Sequence, residues 1–210
     1  MALNNAVSFT WVGHGTWKAR SAKGKEILID PWVMNNPAAP ENLKTVDKCD
    51  VILITHGHFD HIHDAVEIAR HTKPTIVCNH EIGVWLGSKG LDGDKIVAAN
   101  IGGQVEVEGI KVTLVHAEHT CGITENGHLI YGGEACGFEL GKFDVAFLPI
   151  GGFYTMGVER AAKAVSLLGV KTVVPMHFAT FPILSGRPDQ LQELVGPGVK
   201  VLDVKPGDTV

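Results

Sequence analysis

The stretch VILITHGHFDHIHD, residues 51–64, runs an apolar segment directly into a loop with four histidines and two aspartates within ten residues, 55–64. Its first part, read as DVILIT (50–55), has strand length and no polar alternation, the pattern of a strand buried on both faces. His56, His58, Asp60 and His61 then follow at spacings of two, two and one. Neither helical nor strand periodicity brings all four to one face. A tight loop does, and Gly57 permits the turn. Imidazole nitrogen and carboxylate oxygen suit Zn²⁺, and also Fe or Mn. A merely solvated loop does not need so much histidine.

Outward from this stretch, Gly and Pro punctuate short apolar runs. AVSFTWV (6–12) and EILID (26–30) read as strands before it, the second stopped by Pro31. IHDAVEIARHT (62–72) carries a helical stripe. TIVCN (75–79) reads as a strand and EIGVWLGSK (81–89) as a helix. QVEVEG, GIKVTLVH, HLIYGG, CGFEL, FDVAFLPIGG and KTVVPMH read as strands. GVERAAKAVSLLG (157–169) is an amphipathic helix with Gly169 as its cap. RPDQLQELVG is a last helix, and VKVLDVKPGDTV a final strand with a turn. Sheets covered by helices follow, a layered α/β sandwich in one domain, 1–210. Three apolar strands end on a histidine: His56, His116 and His177. Strand carboxyl ends are where layered α/β proteins build sites, so three imidazoles can converge.

The chain has 210 residues, 45% hydrophobic and 20% charged, with a net charge of −5. This is globular composition with room for a core. The negative balance argues against nucleic acid and for a small-molecule substrate. No apolar run is long enough for a membrane span, and MALNNAVSF lacks the basic flank and apolar core of a signal peptide. Cys49, Cys78, Cys121 and Cys136 stand apart, with no C-x-x-C pair. Reduced, buried thiols in a cytoplasmic protein are expected, with Cys121 set apart by its nearness to histidines.

HGHFDH matches H-x-H-x-D-H, the signature of the metallo-β-lactamase fold superfamily. VGHGTWKAR…EILIDPW, THGHFDHIHDAV, IYGGEACGFEL and DVAFLPIGGFYTMG…KTVVPMHFATFP together resemble its small prokaryotic metal-dependent hydrolases over nearly the whole chain. The resemblance implies a four-layered αββα fold with one or two divalent ions, zinc foremost and Mn or Fe as alternatives. It implies His56, His58 and His116 on a first ion, and Asp60, His61 and His177 on a second. It also implies a hydroxide between the ions as nucleophile, which two neighbouring cations would acidify. One part of the pattern is missing. The family carries an aspartate in a stretch like Y-H-A-G-D-T, which bridges the ions. Here CGFEL passes through Gly141-Lys142 straight into FDVAFLPIG, so a strand, that aspartate and a helix are absent after Leu140. Asp144 matches the start of the next strand. Glu118 and Glu134 are weak substitutes. Three protein ligands at each position still make a sensible set, but with one anion fewer the second ion should bind less tightly.

His14, between glycines, is either a pocket residue acting in catalysis beside Asp60 or a structural histidine. Asp30 is placed to orient a ligating imidazole, or to form a turn. Asp64 caps the following helix or supports His61, with capping favoured. His119 and Thr120 stand near the pocket. His63, His71, His80 and His128 read as surface residues. Met156, Phe178, Trp11, Trp17 and Trp85 read as packing. The expected activity is hydrolysis of an ester, lactone, amide or phosphodiester. A phosphodiesterase or nuclease on the same fold is one alternative, and a metal-binding scaffold impaired by the missing segment is another. Association into a homo-oligomer is left open.

Overall fold

A computed structural model describes residues 8–141 and 144–210. Ala6 and Val7 of the first expected strand, and Phe143 of FDVAFLPIGG, lie outside them. The first sheet consists of β1 (Ser8–Gly13), β2 (Thr16–Arg20), β3 (Glu26–Ile29), β4 (Val51–Leu53), β5 (Thr75–Asn79) and β6 (Ile96–Ala99), side by side in that order. The first three strands are antiparallel neighbours, and β3 to β6 are parallel. The run 51–54 behaves as its composition requires. Ile52 and Ile54 face a helical layer, while Val51 and Leu53 face a second sheet. All four are at most 1% exposed. Burial of such a side chain contributes about 1.5–3 kcal/mol, so this strand anchors both cores and the loop that follows it.

The expected helix over 62–72 is two pieces, α1 (Phe59–Ile62) and α2 (Ala65–Thr72). α2 packs with α3 (His80–Ser88) on the outer face of the first sheet, through Ile68, Ile82 and Leu86. Asn79 caps α3 by accepting from Ile82 N–H at 2.9 Å. Its amide also donates to the carbonyls of Gly132 and Glu134.

The second sheet is in two parts. β7 (Gln104–Val107), β8 (Ile110–His116) and β11 (Cys136–Glu139) form one, ordered β11-β8-β7. Between β8 and β11, the strands β9 (Gly122–Glu125) and β10 (His128–Tyr131) pair only with each other, as a hairpin. β12 (Val145–Pro149), β13 (Thr172–Met176) and β14 (Lys200–Val201) form the other part, all parallel. The outer faces differ. α4 (Val158–Leu168) and α5 (Pro188–Val195) cover β12 and β13 through Ala161, Val165 and Leu191. Over β7 and β8 the outward residues are Gln104, Glu106, Lys111 and Thr113, mostly exposed. The architecture is thus the four-layered αββα sandwich. Its second sheet is interrupted between β11 and β12, where the strand, aspartate and helix of the family pattern are absent. Among the described residues, neither β11 nor β12 has a strand partner on its other edge.

Asp64 holds a place different from the one expected. It occupies the N-cap position of α2, but its side chain caps nothing there. It instead accepts from the backbone N–H groups of Val33 and Met34 (2.9 Å for Met34) and from His63 Nδ1 at 2.7 Å. These bonds tether the loop that carries Trp32, and nothing joins Asp64 to His61. Replacement of Asp64 by Ala is expected to strand two N–H groups and lower stability by about 1–3 kcal/mol. Denaturant unfolding at neutral pH measures this; an unchanged midpoint would remove the tether from the account.

Candidate metal centre

Asp30 organises the centre. It follows β3 with a left-handed backbone (φ 50°) and is 2% exposed. Its Oδ1 accepts from Thr55 N–H at 2.7 Å. Its Oδ2 accepts the Thr55 hydroxyl at 2.7 Å and His61 Nδ1–H at 2.8 Å. A hydroxyl has one proton. Thr55 gives it to Asp30, so at 2.8 Å from His56 Nδ1 it accepts from that nitrogen. His56 is thereby fixed with Nδ1 protonated and a lone pair on Nε2, an atom that is buried and unpartnered. One carboxylate therefore sets the rings of two histidines, one directly and one through a hydroxyl.

Three groups of ligand atoms result, of which Asp30, His56 and His61 form one that links the other two. In each, the atoms lie within 4.8 Å of one another. The first is His56, His58 and His119. His119 Nε2 is 3.2 Å from His58 Nδ1, and Thr120 Oγ1 is 3.3 Å from His58 Nε2. The second is His14, Asp60, His61 and His177. There Asp60 Oδ2 is 2.8 Å from His14 Nε2, 3.5 Å from His61 Nε2 and 3.6 Å from His177 Nε2. The groups adjoin: the His56 and His61 ring centroids are 4.0 Å apart. The donor set fits a divalent cation. It is imidazole with one carboxylate, and buried nitrogens of His14, His56 and His177 lack any partner.

A model of the beta-lactamase superfamily domain matches residues 8–177. A UPF0173 metal-dependent hydrolase of Koribacter versatilis is 47% identical, with 97% of each chain covered. One of Solibacter usitatus is 42% identical over 97% of this chain and 99% of its own. The solved structure of a novel metallo hydrolase from Ignicoccus hospitalis matches with a TM-score of 0.78 at 34% identity, covering 97% of each chain. The chain belongs to the beta-lactamase superfamily. It is a metal-dependent hydrolase of the metallo-β-lactamase fold.

Within this superfamily member the histidine after β8 is not the one read from the strand end. His116 is the last residue of β8, its side chain 65% exposed and turned to Glu118 at 3.3 Å. The chain then turns, with His119 N–H bonded to the Ala117 carbonyl, and His119 enters the group. The strand pattern marked where the segment ends, and a three-residue turn decides which imidazole arrives. Glu118 and Glu134 are exposed and join none of these groups. Gly57 serves space rather than a left-handed path. It has no positive φ, but a Cβ there would lie 2.5 Å from Ile123 of the β9–β10 hairpin. Cys121 is buried and donates to the Gly132 carbonyl, outside the ligand groups. No sequence motif marks Thr55; its place at the end of an apolar run, between the strand and the histidine loop, is the only signal.

Burial pushes the imidazoles of His56, His58 and His119 below their ordinary range, and His14 down to about 4 despite its bond to Asp60. These rings are neutral at neutral pH, ready to act as ligands or donors. Burial also disfavours the charged form of His61, but Asp30 and Asp60 outweigh it and raise the group to about 9. Asp60 is held well below the carboxylate range; its burial is outweighed by bonds from His14, His177 and His61. Without metal, His61 is thus a buried cation between two carboxylates. Its contribution to stability is complete below 6.5 and is lost as pH rises through about 9. The neutral His14 contributes above 6.5, and this is lost as pH falls toward 4. The metal-free protein should therefore melt highest near pH 6.5, with the melting point falling as pH drops toward about 4 and as it rises toward about 9. Calorimetry across pH tests this, and a melting point that climbs steadily from 6.5 to 9 contradicts the assignment of His61.

Gly15 offers a second test. A Cβ at this position would lie 2.5 Å from His61 Cε1. Gly15→Ala should push the ring off Asp30, lower stability by about 1–3 kcal/mol and reduce bound metal. Retained metal with wild-type stability would show that the pocket has slack.

Proposed function

We propose that this chain hydrolyses an uncharged carbonyl substrate, an ester, lactone or amide of small size, with zinc as the first candidate among divalent ions. The carrying observation is the buried, unpartnered Nε2 of His56, held as a lone pair by Thr55 and Asp30 at the junction of two histidine groups. A divalent ion bound there supplies an acidified water and polarises the scissile carbonyl. His56, His58 and His119 would hold one ion, and Asp60, His61 and His177 would hold a second. His14 keeps Asp60 in place through its Nε2–H. Thr120 stands beside His58 at the mouth.

Among the described residues, the hydrogen bonds and ion pairs of this group run to His, Asp and Thr, and none to Lys or Arg. That supports an uncharged substrate over a phosphodiester, whose anionic oxygens call for cationic partners. Four buried free thiols support a reducing, cytoplasmic setting, and no helix among the described residues is long and apolar enough to cross a membrane.

Elemental analysis and ester turnover test the reading together. His119→Ala should lose most bound metal and at least about 100-fold in rate, since even outer partners of ligands cost 10–100-fold. His116→Ala should change both by less than about twofold, as befits an exposed surface side chain. The reverse outcome restores His116 as the ligand. Turnover of bis(p-nitrophenyl) phosphate but of no carboxylic ester would replace the proposal with a phosphodiesterase, and a protein without metal or turnover would be a scaffold.

A further inference from the structure

Phe59 is the first residue of α1 and stands between His58 and Asp60, which belong to different ligand groups. It is 59% exposed, although a large apolar ring beside a buried cluster would ordinarily be covered. Its ring meets Trp32 edge-on at 5.5 Å. Trp32 in turn stacks on Phe181 at 6.3 Å, with 28° between planes. Phe181 and Trp32 both stand edge-on to His14, at 5.2 and 5.5 Å. The three rings thus form a continuous wall from solvent to the Asp60 group. The wall is built to stay in place. Asp64 tethers the Trp32 loop, and Phe181 lies just past His177 and Ala179, both with left-handed φ, 54° and 57°. The apolar surface continues beyond it. Ile183 is exposed two residues after Phe181. The Gly186 N–H to Gly151 carbonyl bond lays this segment beside the loop of Phe153, which is 73% exposed.

We propose that this wall receives an apolar hydrocarbon group of the substrate, attached to the carbonyl that is cleaved, with Phe59 as the residue that selects for it. The proposal rests on the hydrolase reading above. An exposed aromatic edge gains by covering hydrocarbon, and the surrounding rings favour a flat group over a small one. A charged group there would lose water without a compensating partner.

Binding of two metal-chelating probes to the cobalt-substituted protein separates the wall from the chemistry. Acetohydroxamate and benzohydroxamate share the chelating group and differ in the hydrocarbon. Benzohydroxamate should bind about tenfold more tightly, as expected for an aromatic ring gaining a partner. In Phe59→Ala that ratio should fall to near one; in Phe59→Leu it should fall only partly. A ratio cancels any change in metal affinity, and Phe181→Ala supplies an independent reduction if the wall is real. If both probes bind equally in the wild type, or the ratio survives in Phe59→Ala, the proposal fails while the hydrolase reading stands. If neither probe perturbs the bound cobalt, the open metal centre itself is refuted, and the proposal with it.

Discussion

The carboxylate of Asp30 is the constraint on which the centre rests. It is buried where an unpaired charge would be costly, and it is satisfied by three donors, two on Thr55 just past β4 and one on His61 of α1. Those donors are also the groups that fix the rings of His56 and His61. The geometry that makes the charge tolerable is therefore the geometry that presents the ligands. The left-handed φ of Asp30, shared by His14 and His177, costs about 1–3 kcal/mol at each position. Such backbone persists only where neighbours over-determine it. Here they do: Trp11 and His177 both donate to the His14 carbonyl, and the Asp30 carbonyl accepts the Thr16 hydroxyl.

Charge is the second constraint. Repulsion between two doubly charged ions is four times that between two single charges at the same distance, so paired sites depend on anions between or beside the ions. Asp60 and Asp30 are the two carboxylates within the ligand groups, and Asp30 is already engaged by His61 and Thr55. The first group consists of neutral imidazoles, already free of protons at neutral pH. The second must release a proton from His61 before an ion can enter. The two groups are thus unequal for a reason internal to this chain.

Much of this was legible in sequence because local composition and spacing carried it. The run 51–54 declared burial on both faces, and the signature loop named four side chains that the fold brings into the candidate ligand groups. Gly169 declared the end of α4, with φ 67°. What failed was whatever depended on a few residues of chain path. His116 has the strand-end position, but a turn of three residues delivers His119. Asp64 has the sequence of a cap, but the loop at Val33 and Met34 competes for its oxygens and wins. The strand β6 was missed because IVAA carries little β-specific pattern; its pairing with β5 comes from the sheet. The hairpin β9–β10 was read as one strand because its partner segment, GITE, is short and polar at one end. The wall of Phe59, Trp32 and Phe181 joins three distant segments, which no spacing rule connects.

An interrupted second sheet would scatter a centre built equally from both sheets, but the residues of the candidate ligand groups are not distributed evenly between them. His14, Asp30, His56, His58, Asp60 and His61 all follow strands of the first sheet. Only His119 and His177 come from the second, one from each part. Each part is fastened to the first sheet close to its own ligand. Cys136 N–H bonds to the Thr55 carbonyl at 3.0 Å, which holds β11, and with it β8, against the end of β4. His177 N–H bonds to the His14 carbonyl at 3.1 Å, which holds β13 against the turn after β1. Separate apolar contacts reinforce each junction, Leu114 and Cys136 on one side and Val174 with Trp11 and Trp17 on the other. The two parts therefore need not pair with each other to place their histidines. The frame that aims six of these eight side chains is thus carried by the unbroken first sheet.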